Sequence, residues 1–177
     1  MLDQCMTVII SRPGIDDLTM IVGVLAEWQN DAAPVQLHPG DVGWYWRFGA
    51  QATAAAVRTW TRDGRVLAVG LLDGDRLLRL TTAPDVRRDE ELGRQLAADL
   101  TTPERGVLPG GAVNVEAPAD ALVNELLADE GWGIDAPFAP LLRDLAEPVE
   151  ATGVRVEVAG PDRVSERTAV QRASWGR

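Results

Sequence analysis

The stretch from Val57 to Leu100, VRTWTRDGRVLAVGLLDGDRLLRLTTAPDVRRDEELGRQLAADL, restricts the architectures open to this chain more than any other. It reads as strand, turn, strand, turn, strand, loop, helix. Asp63-Gly64 and Asp73-Gly74 are hairpin signals, because glycine reaches the positive φ that tight turns require. Between them, Val66 to Leu72 is almost wholly apolar, as a strand covered on both faces must be. Thr82-Ala83-Pro84 then leads through a charged run into Leu92, Leu96 and Leu100 at helical spacing. A loop between a strand and a helix N-terminus is a place where many α/β proteins hold a phosphate, because unpaired backbone N–H groups converge there.

The flanking segments supply further elements. Met6 to Ile10 reads as a short first strand. From Ile15 to Gln29, Leu18, Ile21, Val22, Leu25 and Trp28 recur at steps of three and four, and Asp16 and Asp17 suit the positive end of a helix dipole. His38-Pro39-Gly40-Asp41 reads as a turn, although a histidine can also titrate near neutrality. Trp44, Tyr45, Trp46 and Phe48 crowd into a few positions after it. They fit either a short element pinned into the core by its tryptophans or the aromatic wall of a substrate pocket. Ala50 to Ala56 is a helix or a loose loop.

Beyond the central stretch, Pro103 to Gly111 is a loop and Ala112 to Glu116 alternates as a strand does. Leu122, Val123, Leu126 and Leu127 mark one face of a helix, with Gly131 suited to its C′ position. Trp132 to Ile134 and Ala139 to Leu145 read as further strands. Glu147 to Gly153 is linker-like. Val154, Val156 and Val158 alternate with Arg155 and Glu157 as a last strand, whose valine face needs a sheet to pair with, and Arg163 to Trp175 follows as a helix.

Charge and composition exclude several function classes. The chain has 177 residues, 17 of them basic and 27 acidic, for a net charge of −10. That disfavours a nucleic-acid backbone or an anionic membrane as partner. Every basic residue is arginine, so lysine nucleophiles and Schiff bases are ruled out. Cys5 is the single cysteine and His38 the single histidine, which argues against a metal site of the usual zinc type. A cytoplasmic setting fits the absence of any disulfide pair, and no signal peptide or membrane span is expected.

The order strand, helix, helix, three antiparallel strands, helix, strand, helix, strand resembles the GCN5-related N-acetyltransferases (GNAT). The words that carry the resemblance are LHPGDVGW, TRDGRVLAVGLL, LTTAPDVRRDEELGRQLAADL and ELLADEGW. It implies an α/β (α+β) fold with a mixed, mostly antiparallel sheet of about six or seven strands flanked by helices on both faces. The resemblance runs from about Met6 to Leu145 and implies a domain of residues 1–148. Residues 149–177 resemble a linker followed by the first strand and helix of a second such domain.

The resemblance also assigns chemistry. In that family the loop after the fourth strand carries Arg or Gln, two residues, Gly, one residue, then Gly or Ala, and holds the pyrophosphate of acetyl-CoA. Here Thr82, Arg88 and Gly93 take the cofactor-binding positions, and the first glycine falls on Glu91, beside Asp89 and Glu90. The family's tyrosine before a Gly-Phe pair, a general acid, falls on Leu127 before Gly131-Trp132. Glu116 is the candidate general base, in preference to Asp73 and Asp75 in their turn, and Trp44 and Trp46 are the candidate substrate contacts. Acidic first-turn residues stabilise a helix by roughly 0.3–1 kcal/mol each, which explains Asp89 to Glu91 without a ligand.

The expected function is therefore a catalytically degenerate acetyltransferase-like domain, the structural or regulatory half of a tandem protein. Its partner is a second GNAT-like domain or a second copy in a homodimer. The alternatives are an active acetyl-CoA-dependent N-acetyltransferase acting on a small amine and a binding module for another small ligand in the same cleft.

Overall fold

Three consecutive strands joined by short turns form the centre of the sheet, seen in a computed structural model that describes residues 7–29, 37–136, 144, 146, 148 and 153–174. These strands are β2 (Val57–Arg62), β3 (Arg65–Leu72) and β4 (Leu77–Thr82). The first turn has positive φ at both central residues, 53° at Asp63 and 77° at Gly64. That is the primed turn whose twist matches the flanking strands. Gly74 supplies the second left-handed position, φ 83°.

The short strand β1 (Ile9–Ser11) pairs antiparallel with β2, and β5 (Asn114–Glu116) pairs parallel with β4. The sheet order is therefore β1-β2-β3-β4-β5, a mixed five-stranded sheet. A bulge between Trp60 and Thr61 shifts the β2–β3 register.

Six α-helices are present among the described residues: α1 (Leu18–Glu27), α2 (Pro39–Tyr45), α3 (Ala50–Ala56), α4 (Glu90–Thr101), α5 (Leu122–Asp129) and α6 (Val164–Ser174). Strand alternation divides the apolar residues into two clusters. Trp60, Ala68, Leu78 and Leu80 pack with Leu92, Leu96 and Leu100 of α4 and with Val123 and Leu127 of α5. Val57, Val69 and Leu71 pack with Leu18, Ile21 and Leu25 of α1, Val42 of α2 and Ala54 of α3. Each fully buried leucine here contributes about 1.5–3 kcal/mol of apolar burial.

Helix α5 ends as its sequence foretells. Gly131 has φ 89°, its N–H donates to Ala128 O at 2.9 Å, and the Trp132 N–H donates to Leu127 O at 3.0 Å. These two bonds make a Schellman motif, with Trp132 packed back on the core.

Three readings are corrected by the structure. The aromatic run after His38 does start on a helix, but its tryptophans do not enter the core: Trp44 is 63% exposed and Trp46 51%. Val42 and Tyr45, three apart, take the inward side of α2, so Trp44 lies outside that arc. Residues 132–134 form no strand. Nor do residues 154–158, where Val156 and Val158 are almost fully exposed although their alternation is strand-like. Alternation alone does not make these residues a strand. The Ala139 to Leu145 reading falls largely outside the described residues.

The chain divides into two compact units, Met1–Pro140 and Leu141–Arg177, a boundary somewhat earlier than residue 148. Within the second, α6 buries none of its residues. Among the described residues, no helix is long and apolar enough to cross a membrane.

Candidate functional site

The strand–loop–helix corner from Thr82 to Gly93 holds the residues to which the resemblance assigns cofactor binding. After β4 the chain makes a short 3₁₀ turn, Pro84–Val86, and enters α4 with Asp89 as N-cap. The Asp89 carboxylate accepts the Leu92 N–H at 2.8 Å, so a side-chain anion already occupies the helix start. Arg62, the last residue of β2, donates to Asp89 at 2.8 Å and to Glu91 at 3.1 Å. The corner thus forms a closed set of charges: a carboxylate on the helix N-terminus, a guanidinium on the carboxylate, and a second carboxylate on the guanidinium.

Arg62 holds the Asp89 carboxyl below the usual aspartate range, aided by the Leu92 N–H and opposed by partial burial. A depressed folded-state pKa has a definite sign. The ionised pair contributes stability in full above the unfolded-state value, about 4, and that contribution is lost as pH falls through the lowered folded-state value. Stability measured by urea unfolding should therefore drop on acidification below about pH 4, and Arg62→Gln should make that drop shallower. An unchanged acid limb in Arg62→Gln would show that this pair contributes nothing.

Arg88 turns away from the corner to Glu125 on α5, in a two-pronged pair at 2.5 and 3.0 Å. Its neighbour Arg87 pairs with Asp120 at 2.9 Å, and the Arg87 carbonyl accepts the Leu122 N–H at 2.8 Å. Both arginines tie the loop to the start of α5. Gly93 is buried at the contact of α4 with α5. A Cβ built there would lie 3.1 Å from both Leu122 Cδ2 and Leu126 Cδ1. The need for glycine is therefore met by helix packing. Thr82 is buried, and neither its hydroxyl nor that of Thr81 has a hydrogen-bond partner among the described residues. Leu127, at the tyrosine position, is a core residue of the α4–α5 cluster.

Glu116 stands at the end of β5 opposite Arg79 of β4. Its carboxylate lies 3.6 Å from Arg79 Nε, while Asp73 and Asp41 lie 3.2 and 3.3 Å from the same guanidinium. One arginine thus serves three carboxylates from β5, the β3–β4 turn and α2. His38 caps α2: its Nδ1 accepts the Gly40 N–H at 2.9 Å, and its own N–H donates to Asp41 at 2.8 Å. Turn and cap chemistry therefore accounts for His38. Trp44 and Trp46 lie on α2 and the turn after it, where Arg47 stacks on the rings of Trp44 and Phe48, 4.3 and 4.6 Å from their centroids.

The structure therefore gathers Thr82, Arg88 and Gly93 at one corner with three different tasks, and sets Glu116 in a separate ion-pair cluster. Arg62, Asp120 and Glu125, which close the corner, carry no motif in the sequence. The one available signal is position, since Arg62 directly precedes the Asp63-Gly64 turn and so ends its strand. The donor set does not suit a pyrophosphate: the N-terminal amides meet Asp89, and Glu90 and Glu91 add negative charge to the approach. No protein-family model, curated protein or solved structure matches this chain.

Proposed function

We propose that residues 1–148 are an acetyltransferase-like domain that no longer binds acetyl-CoA and serves as a structural or regulatory half, beside a second such domain or a second copy. The larger layered sheet of that family and a cytoplasmic setting belong to the same proposal. The observation that carries it is the Asp89 carboxylate on the Leu92 N–H, held there by Arg62. An anion site whose backbone amide is already satisfied by a side chain offers a phosphate neither free donors nor a favourable field. The burial of Leu127 supports the same reading, because a leucine in the core can give no proton to a leaving thiolate.

Isothermal titration of the chain with acetyl-CoA tests this. No heat of binding is expected up to millimolar ligand. Micromolar binding would overturn the proposal and return the reading to an active transferase in which Arg88 and Gly93 serve an atypical loop.

A further inference from the structure

Only two charged residues are buried among the described ones, Asp99 and Arg58. Their surroundings differ in kind. Asp99 is met by three donors, one of them the Arg105 guanidinium. Arg58, at 4% exposure, has no carboxylate within ion-pair distance among the described residues, in a chain with ten more acidic than basic side chains.

Arg58 lies at the start of β2, at the other end of that strand from Arg62. Its Nη1 donates to Ala55 O and Val57 O, both at 2.8 Å, and so closes the C-terminal end of α3. Helix capping accounts for that one nitrogen. It does not explain why the residue is left only 4% exposed, since an exposed arginine or a glycine ends a helix without the cost of desolvating a charge.

The neighbour that the ladder supplies is a second cation. Ser11 pairs with Thr59, so Arg12 follows at the end of the β1–β2 ladder beside Arg58. Ile10 and Trp60, the preceding opposed pair, both pack on the α4–α5 cluster, and a period of two puts Arg12 and Arg58 on that same side. Arg12 is exposed and rests on the loop after α4, its Nη2 donating to Gly106 O at 3.1 Å. Gly106 has φ 71°, and a Cβ there would come within 3.2 Å of that nitrogen. The loop thus has a bare residue where Arg12 lies across it. Burial, and then the Arg12 charge, push the Arg58 guanidinium down to about 10.

We propose that Arg12 and Arg58 form a binding site for a phosphate dianion, with Arg58 as its buried base and the exposed side chain of Arg12 as its outer arm. Two guanidinium forks match the charge and the several acceptor oxygens of a phosphate. One fork already anchored to two carbonyls is pre-organised for it. The proposal is independent of the reading given to the α4 corner.

The test is thermal unfolding of the whole chain at constant ionic strength, titrated separately with inorganic phosphate, glycerol phosphate, sodium acetate and sodium chloride. A saturable rise in Tm at low millimolar phosphate or glycerol phosphate is expected. Saturation by the free ion identifies inorganic phosphate, and saturation by the ester alone identifies a phosphomonoester. Arg12→Gln, at an exposed position, should fold as the parent does by circular dichroism and bind at least tenfold more weakly. Arg58→Lys retains the charge but loses the fork, and should also bind at least tenfold more weakly. A linear, unsaturated rise shared by the parent and Arg12→Gln would be a general salt effect and would overturn the proposal. So would saturation by acetate in place of both phosphates.

Discussion

Replacing Asp99 by alanine is expected to lower the stability of the first unit by about 3–5 kcal/mol, from an orphaned indole N–H together with the lost bonds of a buried carboxylate to Gln95 and the half-exposed Arg105. Asp99 sits on the inner side of α4 with no exposed surface. Its Oδ2 accepts the Trp60 indole N–H at 2.8 Å; its Oδ1 accepts Gln95 at 2.9 Å and Arg105 at 2.5 Å. Trp60 is itself fully buried in the centre of β2. Alanine would leave its N–H in an apolar interior, at a cost of about 1–3 kcal/mol, and would free the loop after α4, which Arg105 ties to the helix. The midpoint of thermal unfolding should fall by roughly 10–20 °C for a unit of this size. Asp99→Asn keeps an acceptor for Trp60 and should lose about half as much, following the weaker bonds of a neutral partner. A loss below about 1 kcal/mol in Asp99→Ala would mean that apolar packing alone holds α4 on the sheet.

Gly93→Val is expected to cost about 1–3 kcal/mol through overpacking, with no effect on any ligand. The added methyls would enter space held by Leu122 and Leu126, whose atoms already stand 3.1 Å from a Cβ at that position. Gly93→Ala is the informative companion. It gains up to about 1 kcal/mol of helix propensity and meets the same leucines at a distance that a shift of a few tenths of an ångström relieves, so its net effect should lie within about 1 kcal/mol of zero. Denaturant unfolding of both variants separates this packing role from a phosphate-binding one. A phosphate-binding glycine would tolerate neither substitution in a binding assay and both in a stability assay. Unchanged stability in Gly93→Val would therefore remove the packing explanation and reopen the corner as a ligand site.

The central meander and its two glycine turns were legible in the sequence because each depends on local rules. Asp63-Gly64 states its turn type, and the apolar run from Val66 to Leu72 states burial on both faces. The helix from Glu90 was legible for the same reason, with Leu92, Leu96 and Leu100 on one stripe. What the sequence did not show was long-range pairing of charge. Nothing near Arg88 indicates that it belongs to Glu125, or that Arg62 closes the helix start from across a hairpin. The tryptophans misled because residue type suggests burial whereas helical phase decides it, and Val42 and Tyr45 had already taken the inner arc of α2. The valine alternation after Gly153 misled in the opposite way, since a pattern suited to a strand is found there with Val156 and Val158 almost fully exposed.

The order of strands in the sheet also has a consequence for how the molecule comes apart. From β1 to β4 every neighbour in space is antiparallel, and β2, β3 and β4 are joined by the shortest of turns. The two outer strands arrive from afar, β1 across residues 12–56 and β5 across residues 83–113, and each is held to its neighbour by three residue pairs. Closing so long a stretch is entropically dearer than closing a hairpin, so β2, β3 and β4 condense first and β1 and β5 dock later. On partial unfolding the sequence reverses. Backbone amides of β5 exchange with solvent before those of β3, and the β4 edge, with its leucines, is uncovered while the rest of the sheet stands. An open apolar edge on an intact sheet is a template for strand addition. The short parallel strand thus shields the β4 edge only while it stays docked, and its loss at the start of melting exposes the domain to aggregation.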